Sequence, residues 1–253
     1  MANKKITRRN FIRALTAGAV GAIGLRFANR GRASSPQGES KYKWAMVIDQ
    51  AKCIGCGYCT LTCRAHNDVN PDISWNQLFK VEEVGDRKVY LPRPCMHCED
   101  ATCVQVCMVR ASYHRPDGIV MMDYDLCIGC RYCEVACPYG ARSFNWVEFT
   151  GENPAVPEWG YPEVERRPRG VVEKCSFCYH RIDRGLANGL MPGVNANATP
   201  ACVVACPTRA RIFGDLNDPA SEVSQLLAAN PNYRTKEDLG CDPRVFYLPV
   251  QGV

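Results

Sequence analysis

The 253-residue sequence has only four histidines, His66, His97, His114 and His180, and no catalytic signature gathers them. It contains no G-x-S-x-G nucleophile turn, no H-E-x-x-H metal helix, no G-x-x-x-x-G-K phosphate loop and no G-x-G-x-x-G after a strand, which removes the common hydrolase, metalloprotease, nucleotidase and dinucleotide-binding classes. No stretch approaches the roughly 20 apolar residues of a transmembrane helix. Acidic residues are missing from positions 1–33, where eight Lys/Arg stand unopposed. The remainder holds 23 Lys/Arg against 26 Asp/Glu, near −3. A chain with no basic excess has little with which to neutralise phosphates, so nucleic acid is not an expected partner.

The basic segment reads as an address. Thr7-Arg8-Arg9-Asn10-Phe11-Ile12-Arg13 precedes the weakly apolar run from Ala14 to Leu25, the pattern of a twin-arginine export signal, with a small-x-small cleavage site at Gly31-Arg32-Ala33. Residues 1–33 are therefore expected to be a signal and 34–253 the mature protein, exported to the periplasm or the outer face of the cytoplasmic membrane. That route carries proteins already folded, which suits a cofactor that an unfolded chain would lose.

What the sequence has in excess is cysteine, seventeen in all. Sixteen form four quartets: Cys53, Cys56, Cys59, Cys63; Cys95, Cys98, Cys103, Cys107; Cys127, Cys130, Cys133, Cys137; and Cys175, Cys178, Cys202, Cys206. The first and third have C-x2-C-x2-C-x3-C spacing, in which three close thiolates wrap three corners of a cuboidal 4Fe-4S cluster while backbone amides turn toward sulfur. The fourth cysteine faces away, and in two-cluster ferredoxins it ligates the other cluster. The second quartet is looser and the fourth is stretched by 23 residues between its pairs, but both end in C-x3-C. Pro138 and Pro207 follow the last cysteines of the third and fourth quartets, where Arg64 and Met108 stand in the other two. Zinc is the main alternative, but three sulfurs as close as the C-x2-C-x2-C triplet crowd one small ion. Disulfides suit an exported chain, but eight bridges give no reason for these spacings. Four 4Fe-4S clusters are the expected cofactors.

Cys53-Ile-Gly-Cys56-Gly-Tyr-Cys59 returns 74 residues later as Cys127-Ile-Gly-Cys130-Arg-Tyr-Cys133, so the chain holds two related halves. Around the quartets, a strand is expected at Lys43 to Ile48, a hairpin at Leu78 to Val84 and Lys88 to Leu91 turning at Gly85-Asp86, and a strand over Gly118 to Met122 after Pro116-Asp117. A helix is expected over Ser221 to Ala229, with Asp218 as N-cap and Pro219 in the first position. Segments 148–170 and 184–200, rich in Pro, Gly, Asn and charge, read as inserted surface loops. Arg64, Arg93, Arg131, Lys174, Arg181 and Arg209 stand near the quartets, where cations offset cluster charge; each reads equally well as a solvated charge. His97 and His180 neighbour cluster cysteines, where a donated hydrogen bond would raise a cluster potential, with packing the simpler reading. Trp75, Trp146 and Trp159 read as core or interface residues, and Cys241 as a spare thiol.

Several segments together resemble a known family: Cys53-Ile-Gly-Cys56, Arg93-Pro-Cys95-Met-His-Cys98, Asp117-Gly-Ile-Val120, Cys133-Glu-Val-Ala-Cys137-Pro-Tyr-Gly-Ala-Arg142, Lys174-Cys175-Ser-Phe-Cys178, Pro200-Ala-Cys202 and Phe213-Gly-Asp-Leu-Asn-Asp-Pro219. The pattern is similar to the four-cluster iron-sulfur subunits of membrane-associated dimethyl sulfoxide, polysulfide and tetrathionate reductases. Among them it looks most like the exported members of the nitrite-reductase-pathway and sulfite-reductase-associated complexes. The resemblance implies crossed ligand sets: Cys53, Cys56, Cys59 with Cys206; Cys175, Cys178, Cys202 with Cys63; Cys95, Cys98, Cys103 with Cys137; and Cys127, Cys130, Cys133 with Cys107.

The expected fold is then α+β, two interleaved bacterial ferredoxin-like modules with inserted loops and short β-hairpins. One module is built from about 43–66 with 171–215 and the other from about 90–146, followed by a C-terminal extension over 216–253. The resemblance also implies an electron-transfer subunit without catalysis of its own. It would work between an integral membrane quinone-interacting subunit and a molybdopterin catalytic subunit or a cytochrome-type partner, reaching the membrane only through partners. A free-standing exported polyferredoxin and an enzyme with an open cluster site are the rival readings.

Overall fold

In β1, Trp44–Asp49, every residue is buried. Successive side chains of a strand point to opposite faces, so Trp44, Met46 and Ile48 enter the main core while Ala45 and Val47 enter a second, smaller one. Both faces being apolar explains why the sequence alternates only weakly here. β1 pairs antiparallel with β8, Arg211–Asp215, placing Trp44 opposite Asp215 and Ile48 opposite Arg211. On its other edge it pairs parallel with β9, Val245–Leu248. Since β1 runs toward Cys53 and β8 begins shortly after Cys206, this ladder sets the first and fourth quartets side by side.

These observations come from a computed structural model that describes residues 40–84, 87–158 and 160–250. The twin-arginine segment, the expected hairpin tip Gly85-Asp86 and Trp159 lie outside the described residues. The described residues belong to one unit, 37–253, and its mixture of small sheets and short helices is an α+β architecture. β2, Gln77–Val84, and β3, Arg87–Arg93, form the expected antiparallel hairpin. β4, Ser112–His114, pairs with β5, Val120–Met122, joining the second and third quartets. β6, Ser143–Phe144, pairs with β7, Val172–Glu173, joining the third and fourth. The ladders of β1 with β8, β4 with β5 and β6 with β7 thus each tie together two cysteine-bearing turns.

The helices are short where the cysteines are: α1 Tyr58–His66, α2 Thr102–Gln105, α3 Tyr132–Val135, α4 Tyr179–Ala187 and α5 Ala201–Val204. α1 packs against α5, and α2 against α3. The final helix, α6 Glu222–Ala229, starts later than its sequence suggests. Ser221 is the N-cap, its Oγ accepting from the Ser224 amide at 3.2 Å. Asp218 instead closes the preceding turn by accepting from the Ala220 amide at 2.9 Å. Val223 from this helix is fully buried in the second core.

The 184–200 segment is more structured than a surface loop. α4 continues to Ala187 and a 3-10 turn spans Ala196–Ala198, held by Arg181 donating to the carbonyls of Thr199 and Ala196, each at 2.8 Å. The described residues of 148–170 lack regular structure but are strapped down by charge. Arg166 donates to Asp68 at 2.8 Å, and Glu163 meets His66 at 2.5 Å, Arg184 at 2.7 Å and Arg181. Burial raises the Glu163 carboxyl, but these donors outweigh it and hold it well below the usual carboxylate range.

The deepest link of the strap is Arg167–Glu173, 2.6 Å apart, with side chains 4% and 1% exposed. Removing one partner of a buried pair leaves an uncompensated charge, at a cost of about 3–5 kcal/mol. Arg167→Met is expected to lower unfolding free energy by about that amount, and the Arg167→Met/Glu173→Leu double variant to recover most of it, as read by denaturant titration.

Candidate metal-cluster site

The spacing of the cysteines brings thiols from different quartets together. One recess is lined by Cys53, Cys56 and Cys59 from the turn into α1 and by Cys206 from beyond α5. A second is lined by Cys127, Cys130 and Cys133 from the turn into α3 and by Cys107 from beyond α2. The repeat thus reappears in space, three thiols from one quartet and the last thiol of another. In both turns the C-I-G-C glycine has positive φ, Gly55 at 71° and Gly129 at 68°. A Cβ on Gly129 would lie 2.2 Å from the Gly170 carbonyl oxygen, so this position tolerates only glycine.

Two further groups are deeper. Burial, together with the neighbouring thiols of Cys175, Cys178 and Cys202, raises the Cys63 thiol well above its ordinary range. Burial and the thiols of Cys95, Cys103, Cys241 and Cys137 raise Cys98 in the same way. Cys178, buried and beside Cys202, is pushed up to about 11. Only the two recesses have an exposed member, Cys56 in one and Cys130 in the other.

None of the seventeen cysteines is bridged. Backbone amides face sulfur where the turns predict it, Phe177 to Cys175 Sγ at 3.5 Å and Ser112 to Cys107 Sγ at 3.4 Å. Among the described residues no group of three or more His, Cys, Asp or Glu is arranged to hold a metal ion. A lone zinc needs its sulfurs about 2.3 Å from one point, whereas a cuboidal cluster needs them around a volume. The two four-thiol groups that ring recesses, with amides turned to sulfur in neighbouring turns, fit 4Fe-4S clusters.

The cations that touch these thiols are not the ones the sequence singles out. Arg209 pairs with Glu222 at the surface, Arg131 pairs with Glu134 and lies over Trp146, Arg93 lies over Phe79, and Arg181 serves the strap. Lys174 alone of that set is fully buried among cysteines. Arg142 and Arg211, each 3% exposed, carry the direct contacts: Arg142 donates to Cys103 Sγ at 3.1 Å and to Ser112 Oγ at 2.5 Å. Arg211 donates to Cys202 Sγ at 3.6 Å and to Asn76 Oδ1 at 2.6 Å. The sequence does carry a signal for them, since each follows the last cysteine of its quartet by five positions. Asn67 adds a further donor, 3.6 Å from Cys178 Sγ and 3.8 Å from Cys63 Sγ. Trp75 is core, whereas Trp146 is exposed.

Comparison with known proteins agrees with this chemistry. Residues 87–153 and 126–210 each match a 4Fe-4S dicluster domain, and residues 44–65 match a 4Fe-4S binding domain. The chain is a 4Fe-4S protein with several clusters. It is 42% identical over 230 residues to the iron-sulfur cluster-binding subunit of menaquinone reductase from Nitratidesulfovibrio vulgaris, covering 83% of this chain and 90% of that one. The iron-sulfur subunit of the arsenate respiratory reductase from Shewanella sp. is 39% identical over 240 residues, covering 82% and 97%. An iron-sulfur subunit of the Hdr-like menaquinol oxidoreductase from Archaeoglobus fulgidus is 37% identical over 281 residues, covering 98% and 99%. The chain belongs to this family of iron-sulfur electron-transfer subunits of respiratory reductases, and it conducts electrons without catalysis of its own.

A buried cation beside a cluster favours the more negative, reduced state. Arg142→Met is expected to move the potentials of the clusters nearest Cys103 and Cys133 to more negative values, with Arg142→Lys in between and iron content unchanged. Redox titration followed by electron paramagnetic resonance reads this directly.

Proposed function

We propose that the four crossed sets each hold one 4Fe-4S cluster and that the chain relays single electrons between a quinone-interacting membrane subunit and a redox partner outside the cytoplasm. Bound there, a 4Fe-4S cluster supplies a one-electron carrier with a potential set by its surroundings. Cys53, Cys56, Cys59 and Cys206 form the first set, and Cys63, Cys175, Cys178 and Cys202 the second. Cys95, Cys98, Cys103 and Cys137 form the third, and Cys107, Cys127, Cys130 and Cys133 the fourth. The chain's own residues provide thiolates, orient amides toward sulfur and exclude water from the two central sets.

The observation that carries this reading is the pair of exposed ends. Ile54, Tyr58 and Leu61 stand 60%, 54% and 48% exposed around the first set, and Ile128, Tyr132 and Val135 stand 61%, 53% and 77% exposed around the fourth. Each residue of the second trio lies 74 positions after its counterpart in the first. Exposed apolar side chains gathered around a site suit protein–protein contact, and two such collars suit a conductor with one partner at each end. Relatives named as subunits of reductases and oxidoreductases support a multi-subunit setting. The menaquinone reductase and menaquinol oxidoreductase subunits support a quinone-linked membrane partner for this chain. The second partner is a molybdopterin catalytic subunit or a cytochrome-type protein. Among the described residues no helix is long and apolar enough to cross a membrane, and membrane attachment is assigned to the partner. Export in folded form by the twin-arginine route is part of the same proposal.

Two experiments test this. Ile54→Lys and Val135→Lys are each expected to slow electron exchange with one partner by tenfold or more while leaving the cluster spectrum unchanged; slowing of exchange with both partners by either variant, or with neither, contradicts the two-ended reading. Arg8→Lys/Arg9→Lys is expected to leave cluster-loaded protein in the cytoplasm, read by fractionation, and unchanged export contradicts the assigned route.

A further inference from the structure

The first and second sets meet at Arg211 and the third and fourth at Arg142, but the gap between the second and third is built differently. His97, in the turn from Cys95 to Cys98, stacks on Phe177, in the turn from Cys175 to Cys178, with ring centroids 3.8 Å apart. The two residues occupy the same place in their C-x2-C turns, both have positive φ, 45° and 53°, and they are 0% and 1% exposed. This stack is a direct contact between the two turns. Beside it, the Lys174 ammonium donates to the carbonyls of Val120 and Cys175.

The protonation of His97 follows from one hydrogen bond. The Val120 amide donates to His97 Nδ1 at 3.1 Å, so Nδ1 is the bare nitrogen and the ring proton sits on Nε2. Turning the ring over would set a carbon against the Val120 amide and leave that buried donor unpaired, which disfavours the alternative. Nε2–H is therefore a donor, it is completely buried, and it has no acceptor among the described residues, cysteine sulfurs included. A buried donor without a partner is rare in native proteins and signals a missing acceptor.

We propose that His97 Nε2–H donates a hydrogen bond to an inorganic sulfide of one of the two central clusters and so raises the potential of that cluster relative to its neighbours. This rests on the assignment of clusters to the second and third sets. A hydrogen bond to a cluster sulfur stabilises the more negative, reduced state, because the acceptor gains charge on reduction. His97 is thus a tuning residue at the junction of the two halves, and the Phe177 stack and the Val120 amide fix its orientation.

The test uses the full chain with its clusters. In wild-type protein labelled with ¹⁵N-histidine, pulsed electron paramagnetic resonance of the reduced state is expected to show a nitrogen coupled to one cluster, and this coupling disappears in His97→Phe. Phe177 already adopts positive φ at the equivalent position, so phenylalanine suits the backbone and keeps the stack without the donor. At a fixed ambient potential, His97→Phe is expected to lower the reduced-to-oxidised ratio of one central cluster at least threefold, roughly 30 mV for a one-electron couple. The other three clusters hold their potentials, and His97→Gln, which retains a donor, recovers part of the shift.

A buried water in place of the sulfide contact leaves every potential unmoved in His97→Phe, and that result overturns the proposal. A wild-type protein that shows no histidine nitrogen coupling overturns it too, independently of how the variant folds. Wild-type protein without four-cluster iron content overturns the assignment beneath it instead, so the two failures are told apart.

Discussion

A buried thiol prefers to stay protonated, and this chain buries thiols in groups where each raises the others further. Metal ligation requires the opposite, a thiolate. In the proposed assignment, iron resolves that conflict, and the protein around it is arranged to make ionised sulfur tolerable. Amides point at sulfur from the turns, and guanidinium groups approach Cys103 and Cys202 from inside the core. The regular structure alone is slight, with one turn of helix at Thr102–Gln105, Tyr132–Val135 and Ala201–Val204 and ladders of two or three residues at β4 to β7. Elements this short bury little surface. Crossed cysteine sets would tie them together through bonds far stronger than their packing.

In the proposed assignment the same crossing gives the molecule its direction. There the last cysteine of each quartet leaves its own turn and joins another, so that neighbouring sets would share a helix and a ladder. Arg211, the His97–Phe177 stack with Lys174, and Arg142 then stand in order between successive sets. Only the terminal sets expose a cysteine. Under that assignment an electron path with guarded middle steps and open ends would follow from the repeat, because duplicating a two-set module leaves one outward turn per half.

Much of this is legible in the cysteines, since C-x2-C-x2-C-x3-C has few uses and the 74-residue offset marks the repeat. The strand at Trp44 and the hairpin into Arg93 are readable as well. The short ladders β4 with β5 and β6 with β7 are only partly visible, because two- or three-residue strands leave no periodicity to detect. The N-cap of α6 falls at Ser221 and not Asp218 because both residue types cap, and the choice depends on which side chain reaches an amide. Arg142 and Arg211 each stand five positions after the last cysteine of a quartet, but a reading that weighs proximity to cysteine and cannot see burial favours the more numerous surface cations. In the sequence His97 reads more simply as packing than as a hydrogen-bond donor to a cluster; its stack on a residue 80 positions away and its unpaired Nε2 exist only in three dimensions.

The central claim is that sixteen cysteines hold four cuboidal clusters. Iron and acid-labile sulfide, measured on protein purified without oxygen and normalised to accurately determined protein, test it most directly. The account predicts about sixteen of each per chain. About twelve of each, or zinc in their place, would contradict it.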